Sequence, residues 1–443
     1  MQFRLLFICF WFSCLFGFSQ SGFQFENNKN KISIPFKFIN NLIILPIEVN
    51  GTSLNFLLDT GVEDSVLFSV DDTDGISFFN IEKIKIRGFG SNEAFEAYKS
   101  INNKLSVKNY TDFNHTLYLV LDQNINVSSQ VGIPVNGIIG YQFFKNHLVK
   151  IDYENKRITV FNTKIKALRK ISKLYDKIPL TFVYGKPYID CTTSFSEKQE
   201  SLQSKLLIDT GSSDAIWFFS QSNSKIVIPK LNFEDYLGRG FSGDVYGKRG
   251  RIEEFSLGTF HFKKPLAAFP DSLATTDMGE IKDRIGSIGS EVLRRFTVVF
   301  DYENSMIYLK KNHHFEEPFN FNMSGLEIQH QGLQWIKENY EENPALSNNL
   351  FDADGNKITN NLKYKFELKP IYVITNVRKN SPTAVAGFQK EDVIQRINKR
   401  DAYTYTLQQI NDLLKTEEGK AINFEIDRKG QLLHLSIVLK NIL

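Results

Sequence analysis

The chain has 443 residues, enough for two or three domains with separate cores. Hydrophobic residues at 42% and charged residues at 23% are the proportions of a soluble globular protein, and 39 Phe and 17 Tyr favour strands. A formal net charge of +3, with Lys and Arg spread along the chain, leaves no electrostatic footprint for a nucleic-acid partner.

The first predicted element is a leader. Arg4 precedes the apolar run Leu5–Phe18, and Gly17-Phe18-Ser19 offers small residues for cleavage before Gln20. This pattern predicts a signal peptide over residues 1–19 and an exported protein, periplasmic or extracellular. Cleavage before Cys14 as a lipoprotein is the alternative, and Trp11 fits that signal poorly. No later stretch reaches the ~20 apolar residues of a membrane span. Removal of the leader takes Cys9 and Cys14 with it, so Cys191 reads as a small buried strand residue, not as a thiol nucleophile.

Short strands follow: Leu42–Val49, the buried run Phe56–Leu58, and Leu148–Phe161 alternating around a turn at Glu154-Asn155. Asp59-Thr60-Gly61 ends the second of these. The same tripeptide returns as Asp209-Thr210-Gly211, again behind an apolar run. Downstream, the 22 residues from Gly137 align without gaps to the 22 from Gly286, so Asp152-Tyr153-Glu154-Asn155 corresponds to Asp301-Tyr302-Glu303-Asn304. The offset is 150 residues at the aspartates and 149 here, which points to duplication of one folding unit. Tyr141–Lys145 and Ser290–Arg295 read as short helices after a glycine, and the basic stretch Lys164–Lys177 as a surface connector.

With these residues in place the chain resembles a two-lobed member of the retropepsin- and pepsin-like aspartic peptidases. The resemblance implies one Asp-Thr-Gly loop per lobe, with an apolar-apolar-Gly segment beneath each. Ile138-Ile139-Gly140 fits that second element fully, and Ser287-Ile288-Gly289 fits it with a polar first residue. It also implies Asp59 and Asp209 as the catalytic pair, and Thr60 and Thr210 as hydroxyls that bond across the lobe interface. Two carboxyls about 3 Å apart cannot both ionise, so they share a proton; the ionised one activates water and the protonated one polarises the scissile carbonyl. Gly61 and Gly211 allow a tight loop whose N–H groups reach the carboxylates. Ser212 can bond the outer oxygen of Asp209, whereas Val62 at the matching place cannot, so the pair is expected to be asymmetric. The resemblance also implies a hairpin that closes over the cleft, for which the glycine-containing, polar-tipped stretches Arg87–Ser100 and Gly238–Arg251 are the candidates.

After His313 and His314, adjacent and therefore not at metal-ligand spacing, the repeat stops. Ser381–Asn398 (SPTAVAGFQKEDVIQRIN) resembles the signature of a PDZ domain of the bacterial protease-associated type, with Glu391 and Lys399 where glycine is usual. Leu407, Ile410, Leu413 and Leu414 fall at helical spacing, and Ile422–Asp427 and Leu432–Leu439 read as strands. The PDZ resemblance implies a groove for a peptide C-terminus or an extended strand. Gly325-Leu326-Glu327-Ile328 is the nearest match to a carboxylate-binding loop. Lys337–Lys363 reads as a polar insertion, in which Asp352-Ala353-Asp354-Gly355-Asn356 is a tight turn.

The expected fold is mainly β: two similar aspartic-peptidase β-barrel lobes, residues 20–165 and 166–315, with the active site between them, then an α+β PDZ domain over residues 324–443. The expected function is an aspartic endopeptidase acting on polypeptides, with no cofactor or metal and with one chain sufficient to build the pair. A non-catalytic peptide-binding scaffold on the same fold is the alternative.

Overall fold

The computed structural model describes residues 22–69, 75–86, 95–120, 126–240, 243–271, 283–341 and 362–443. The expected signal peptide, residues 87–94 of the first hairpin and the Asp352–Asn356 turn lie outside these residues. Strands dominate and helices are few and short.

A nine-stranded sheet is formed between Gln24 and Ile139. Its long strand Phe95–Val107 pairs with both Leu42–Val49 and Tyr110–Leu119, which closes the sheet on itself. A ten-stranded sheet is formed between Thr181 and Ile288. The centres of the two sheets match. Thr52–Leu58 lies parallel to Gly137–Ile139, and Leu202–Ile208 lies parallel to Arg284–Ile288. Strands covered on both faces read as unbroken apolar runs, and Phe56-Leu57-Leu58 and Leu206-Leu207-Ile208 are such runs.

A six-stranded antiparallel sheet joins the two. At its centre Leu148–Asp152 pairs with Phe296–Asp301, Val149 opposite Phe300 and Ile151 opposite Val298. The repeated Asp-Tyr-Glu-Asn segments are the turns that follow these strands. Asp152 accepts from the Asn155 N–H at 3.1 Å, and Asp301 accepts from Asn304 Nδ2 at 2.8 Å. Beneath the sheet, Phe144 packs on Phe300 and Tyr302 with centroids 5.2 and 5.3 Å apart, and Phe182 reaches Tyr302 at 4.5 Å. Each such buried ring contributes about 1.5–3 kcal/mol, so the joint is a core and not a surface contact.

The Lys164–Lys177 stretch, read as a connector, contains an 11-residue helix, Lys164–Leu174. Ala167, Leu168 and Ile171 fall on one face of it and cover Leu148, Val299 and Tyr308. Cys191 is buried in the strand Lys186–Ser194, and burial pushes its thiol pKa up, the opposite of an activated nucleophile. His313 and His314 are each paired with a carboxylate, Glu154 and Glu317. The Arg295 side chain is fully buried just ahead of them. It pairs with Glu291 at 2.8 Å and donates to the carbonyls of Glu291, Phe315 and Glu317, which pins the segment leading to the C-terminal domain.

That domain is a six-stranded sheet with edge strand Leu326–Glu341, then Leu362–Val377, Val393–Ile397, Ala421–Arg428 and Gln431–Val438. Ser381 caps the short helix Pro382–Val385, and Thr406 opens Leu407–Leu413 with a capping box to Gln409. The region read as a polar insertion is shorter than expected, because strands continue to Glu341 and resume at Leu362. Leu333 and Trp335 sit opposite Pro370 and Leu368, and Lys337 opposite Phe366. This two-residue alternation carries a ladder that composition alone disguises as a loop.

Candidate active site

Asp59 and Asp209 each follow the central strand of their sheet, and the two sheets bring them together. The Asp59 N–H donates to the Ile139 carbonyl at 2.9 Å, and the Asp209 N–H to the Ile288 carbonyl at 2.9 Å. The apolar-apolar-Gly segments therefore lie directly against the carboxyl loops. Their glycines are required by space: a Cβ on Gly140 would sit 2.3 Å from the carbonyl oxygens of Asp59 and Val62, and one on Gly289 2.2 Å from that of Asp214.

Thr60 and Thr210 are fully buried and lock the loops to each other. The Thr60 N–H donates to Thr210 Oγ1 at 3.0 Å and the Thr210 N–H to Thr60 Oγ1 at 3.1 Å. Each hydroxyl then donates to the opposite strand, Thr60 to the Ile208 carbonyl at 2.6 Å and Thr210 to the Leu58 carbonyl at 2.8 Å. Four reciprocal bonds in a dry setting fix the spacing of the carboxyls.

The Gly61 N–H donates to Asp59 Oδ1 at 2.6 Å and the Gly211 N–H to Asp209 Oδ1 at 3.0 Å. The carboxyls also hydrogen-bond to each other. Their environments differ. Burial, then the adjacent Asp209 carboxylate, holds Asp59 well above the usual carboxylate range. Burial raises Asp209 too, but the Arg284 charge, the bond from Asp59 and the N–H groups of Gly211 and Ser212 draw it back. The two carboxyls therefore titrate as one pair in unequal surroundings.

The structure thus brings together all seven residues singled out from the sequence: Asp59, Thr60, Gly61, Asp209, Thr210, Gly211 and Ser212. Ser212 reaches Asp209 through its backbone N–H, and its Oγ lies against Gly289, 3.0 Å from where a Cβ would be. Arg284 is the residue that sequence reasoning missed. It opens the strand Arg284–Ile288, where the first repeat has Val135. A charge at the start of a buried strand was the readable sign.

The hairpin Asn232–Gly240 with Gly243–Arg251 is tied to the loop after Asp209. Arg249 bonds Asp214 at 2.8 Å and Asp235 at 2.7 Å, while Trp217 Nε1 donates to Asp214 at 2.6 Å. Its Tyr246 packs on Tyr236 with centroids 5.6 Å apart.

Comparison with known proteins matches residues 45–143 to the family described as aspartyl protease and residues 353–439 to the PDZ domain family. Among solved structures, the chain is similar to the aspartic proteinase from Irpex lacteus, with 14% identity and a TM-score of 0.40, over 66% of this chain and 100% of that one. No curated protein matches. The chain carries an aspartyl protease domain and a PDZ domain.

Proposed function

We propose that the chain is an aspartic endopeptidase in which a water held between Asp59 and Asp209 attacks the peptide bond. Asp209, kept ionised by Arg284 and by the N–H groups of Gly211 and Ser212, takes a proton from the water as its oxygen adds to the scissile carbonyl. Asp59 gives its proton to the carbonyl oxygen, so no free oxyanion builds up. Collapse of the tetrahedral intermediate returns that proton to Asp59, and Asp209 passes the water-derived one to the leaving amine. Neither a metal nor a covalent intermediate is needed for this sequence.

The single observation that carries the reading is the pair of mutually hydrogen-bonded carboxyls with unequal environments, clamped by the Thr60–Thr210 exchange. The PDZ domain supports a role in taking up polypeptide, and the Leu5–Phe18 run supports export of the chain. Cleavage of an unfolded protein by wild type, Asp59→Asn and Asp209→Asn tests the proposal. Loss of about 10²–10⁴-fold in kcat is expected for each variant. Equal cleavage by all three proteins overturns it.

A further inference from the structure

The strands Leu326–Glu341 and Leu362–Val377 run on past the sheet they belong to. The second meets a third strand only at Tyr372 and Val373, so from Leu333 and Pro370 outward the two form a ribbon paired only with itself. Side chains directly opposite in an antiparallel pair share a face, and faces alternate along each strand. One face of the ribbon therefore carries Leu333, Trp335 and Lys337 with Leu368, Phe366 and Tyr364. The other carries Gln334, Ile336 and Glu338 with Lys369, Glu367 and Lys365.

These faces are turned the opposite way from what water favours. Lys369 pairs with Glu338 at 3.4 Å and also with Glu367, and its amino group lies 5.9 Å from the centroid of the Tyr403 ring. The charged face is thus the one turned towards the body of the C-terminal domain. The five large side chains of the apolar face stand outward, from 48% exposed at Leu368 to 69% at Trp335. Together they present roughly 500 Å² of apolar surface. A two-stranded ribbon has no core of its own to offset that exposure, and contiguous apolar surface of this extent marks a contact surface.

Size and charge decide what covers it. A second copy packed face to face would bury roughly 500 Å² per partner, short of the about 800 Å² of a standard interface. It would also bring both copies of Lys337 into one desolvated layer. Lys337 is the one charged side chain on this face among the described residues, and its amino group lies over the Tyr364 ring, 3.4 Å from the centroid. Trp, Tyr and Phe beside a long, flexible cation form the side-chain set that settles at a lipid interface, with rings at headgroup depth and the ammonium reaching the phosphates. We propose that this face docks on a bilayer surface carrying anionic lipid, with Trp335, Phe366 and Tyr364 at headgroup depth and Lys337 against the lipid phosphates. An open ribbon leaves backbone groups unpaired at its edges, so it lies on the bilayer and does not cross it. The peptidase reading does not enter this inference.

Vesicle co-sedimentation tests it, using the chain from Gln20 onward so that the apolar run Leu5–Phe18 contributes nothing. Vesicles of phosphatidylglycerol and phosphatidylcholine in equal parts are compared with vesicles of phosphatidylcholine alone. Wild type is expected to sediment with the mixed vesicles, and bromination of their acyl chains is expected to quench its tryptophan fluorescence. Trp335→Gln/Phe366→Gln is expected to lower the partition coefficient at least tenfold. Lys337→Gln is expected to lower it about fivefold on the mixed vesicles only. All three side chains are exposed, so unchanged circular dichroism and thermal unfolding accompany these losses. No sedimentation of wild type with either vesicle, or equal partitioning of wild type and the double variant, overturns the proposal. Equal partitioning of wild type and Lys337→Gln on the mixed vesicles overturns the part given to anionic lipid. Concentration-dependent dimerisation that the double variant abolishes, without vesicle binding, assigns the face to a second copy and overturns the proposal as well.

Discussion

Thr60 and Thr210 each accept a hydrogen bond from the other's backbone N–H, at 3.1 and 3.0 Å, although 150 residues separate them in the chain. Each hydroxyl also donates to a carbonyl on the opposite strand, so both hydroxyls and both N–H groups are engaged in holding the two loops together. The carboxyls on either side inherit their spacing from it.

Thr210→Val keeps the side-chain volume and leaves the Thr60 N–H and the Leu58 carbonyl without their partner. Each buried group orphaned in this way costs about 1–3 kcal/mol. Denaturant unfolding is expected to show a loss of about 2–4 kcal/mol for Thr210→Val, accompanied by reduced kcat. An unchanged midpoint with full activity would mean that the exchange does not hold the loops.

The two loop glycines differ in the room they have. A Cβ on Gly211 would lie 2.3 Å from Cγ and Oδ2 of Asp59, whereas one on Gly61 would meet Asp59 Oδ1 at 3.0 Å and Asp209 at 3.3 Å. Gly211→Ala must therefore displace the Asp59 carboxyl, while Gly61→Ala needs a shift of a few tenths of an ångström. Cleavage is expected to fall by about 10²-fold or more for Gly211→Ala, and clearly less for Gly61→Ala. Equal losses would count against the asymmetry.

Under the proposed mechanism Arg284 is expected to set the acid limb of the pH profile. Activity needs Asp209 ionised, and the Arg284 charge lowers a pKa that burial has raised. Removing the cation in Arg284→Met lets that pKa rise, so the acid limb of kcat/KM moves to higher pH. The direction is the diagnostic feature. A shift towards lower pH, or none, would show that Arg284 acts only in packing.

Glu327 makes a prediction that needs no substrate. Its folded pKa of about 7 lies above the ordinary 4.5, so between these values the folded protein binds more protons than the unfolded chain. Stability contributed by the neutral carboxyl is present below about 4.5 and is lost as pH rises through about 7. Glu327→Gln removes that penalty. The variant should match wild type in denaturation at pH 4.5 and exceed it at pH 8. If wild type is the more stable at pH 8, the carboxylate has a partner.

The candidate site was legible to an unusual depth because duplication wrote it twice. Asp59-Thr60-Gly61 and Asp209-Thr210-Gly211, each behind a buried strand and each followed at nearly the same distance by an apolar-apolar-Gly segment, predict both the loops and what lies beneath them. The PDZ signature, the Leu407–Leu413 helix and the last two strands were also readable, since local capping and alternation decide them. Ile371–Val377 reads as a strand too, but the strand ends nearest residues 342–361, inside the Lys337–Lys363 stretch, were not legible. Their polar residues resemble a loop until each strand is seen paired with the other.

What the sequence determined by itself is the pairing of chemistry: two carboxyls, two threonines, two glycine turns and a PDZ domain on one chain. Tertiary structure alone decided that the two carboxyls have unequal surroundings, because Arg284 comes 75 positions after Asp209 and its field acts through space. It also decided that Glu327 lies beside Asp235, Arg249 and Arg378, residues far from it in the chain. Periodicity and motif spacing report on neighbours along the chain. Proton affinities and shared cavities depend on neighbours in space, and folding sets those.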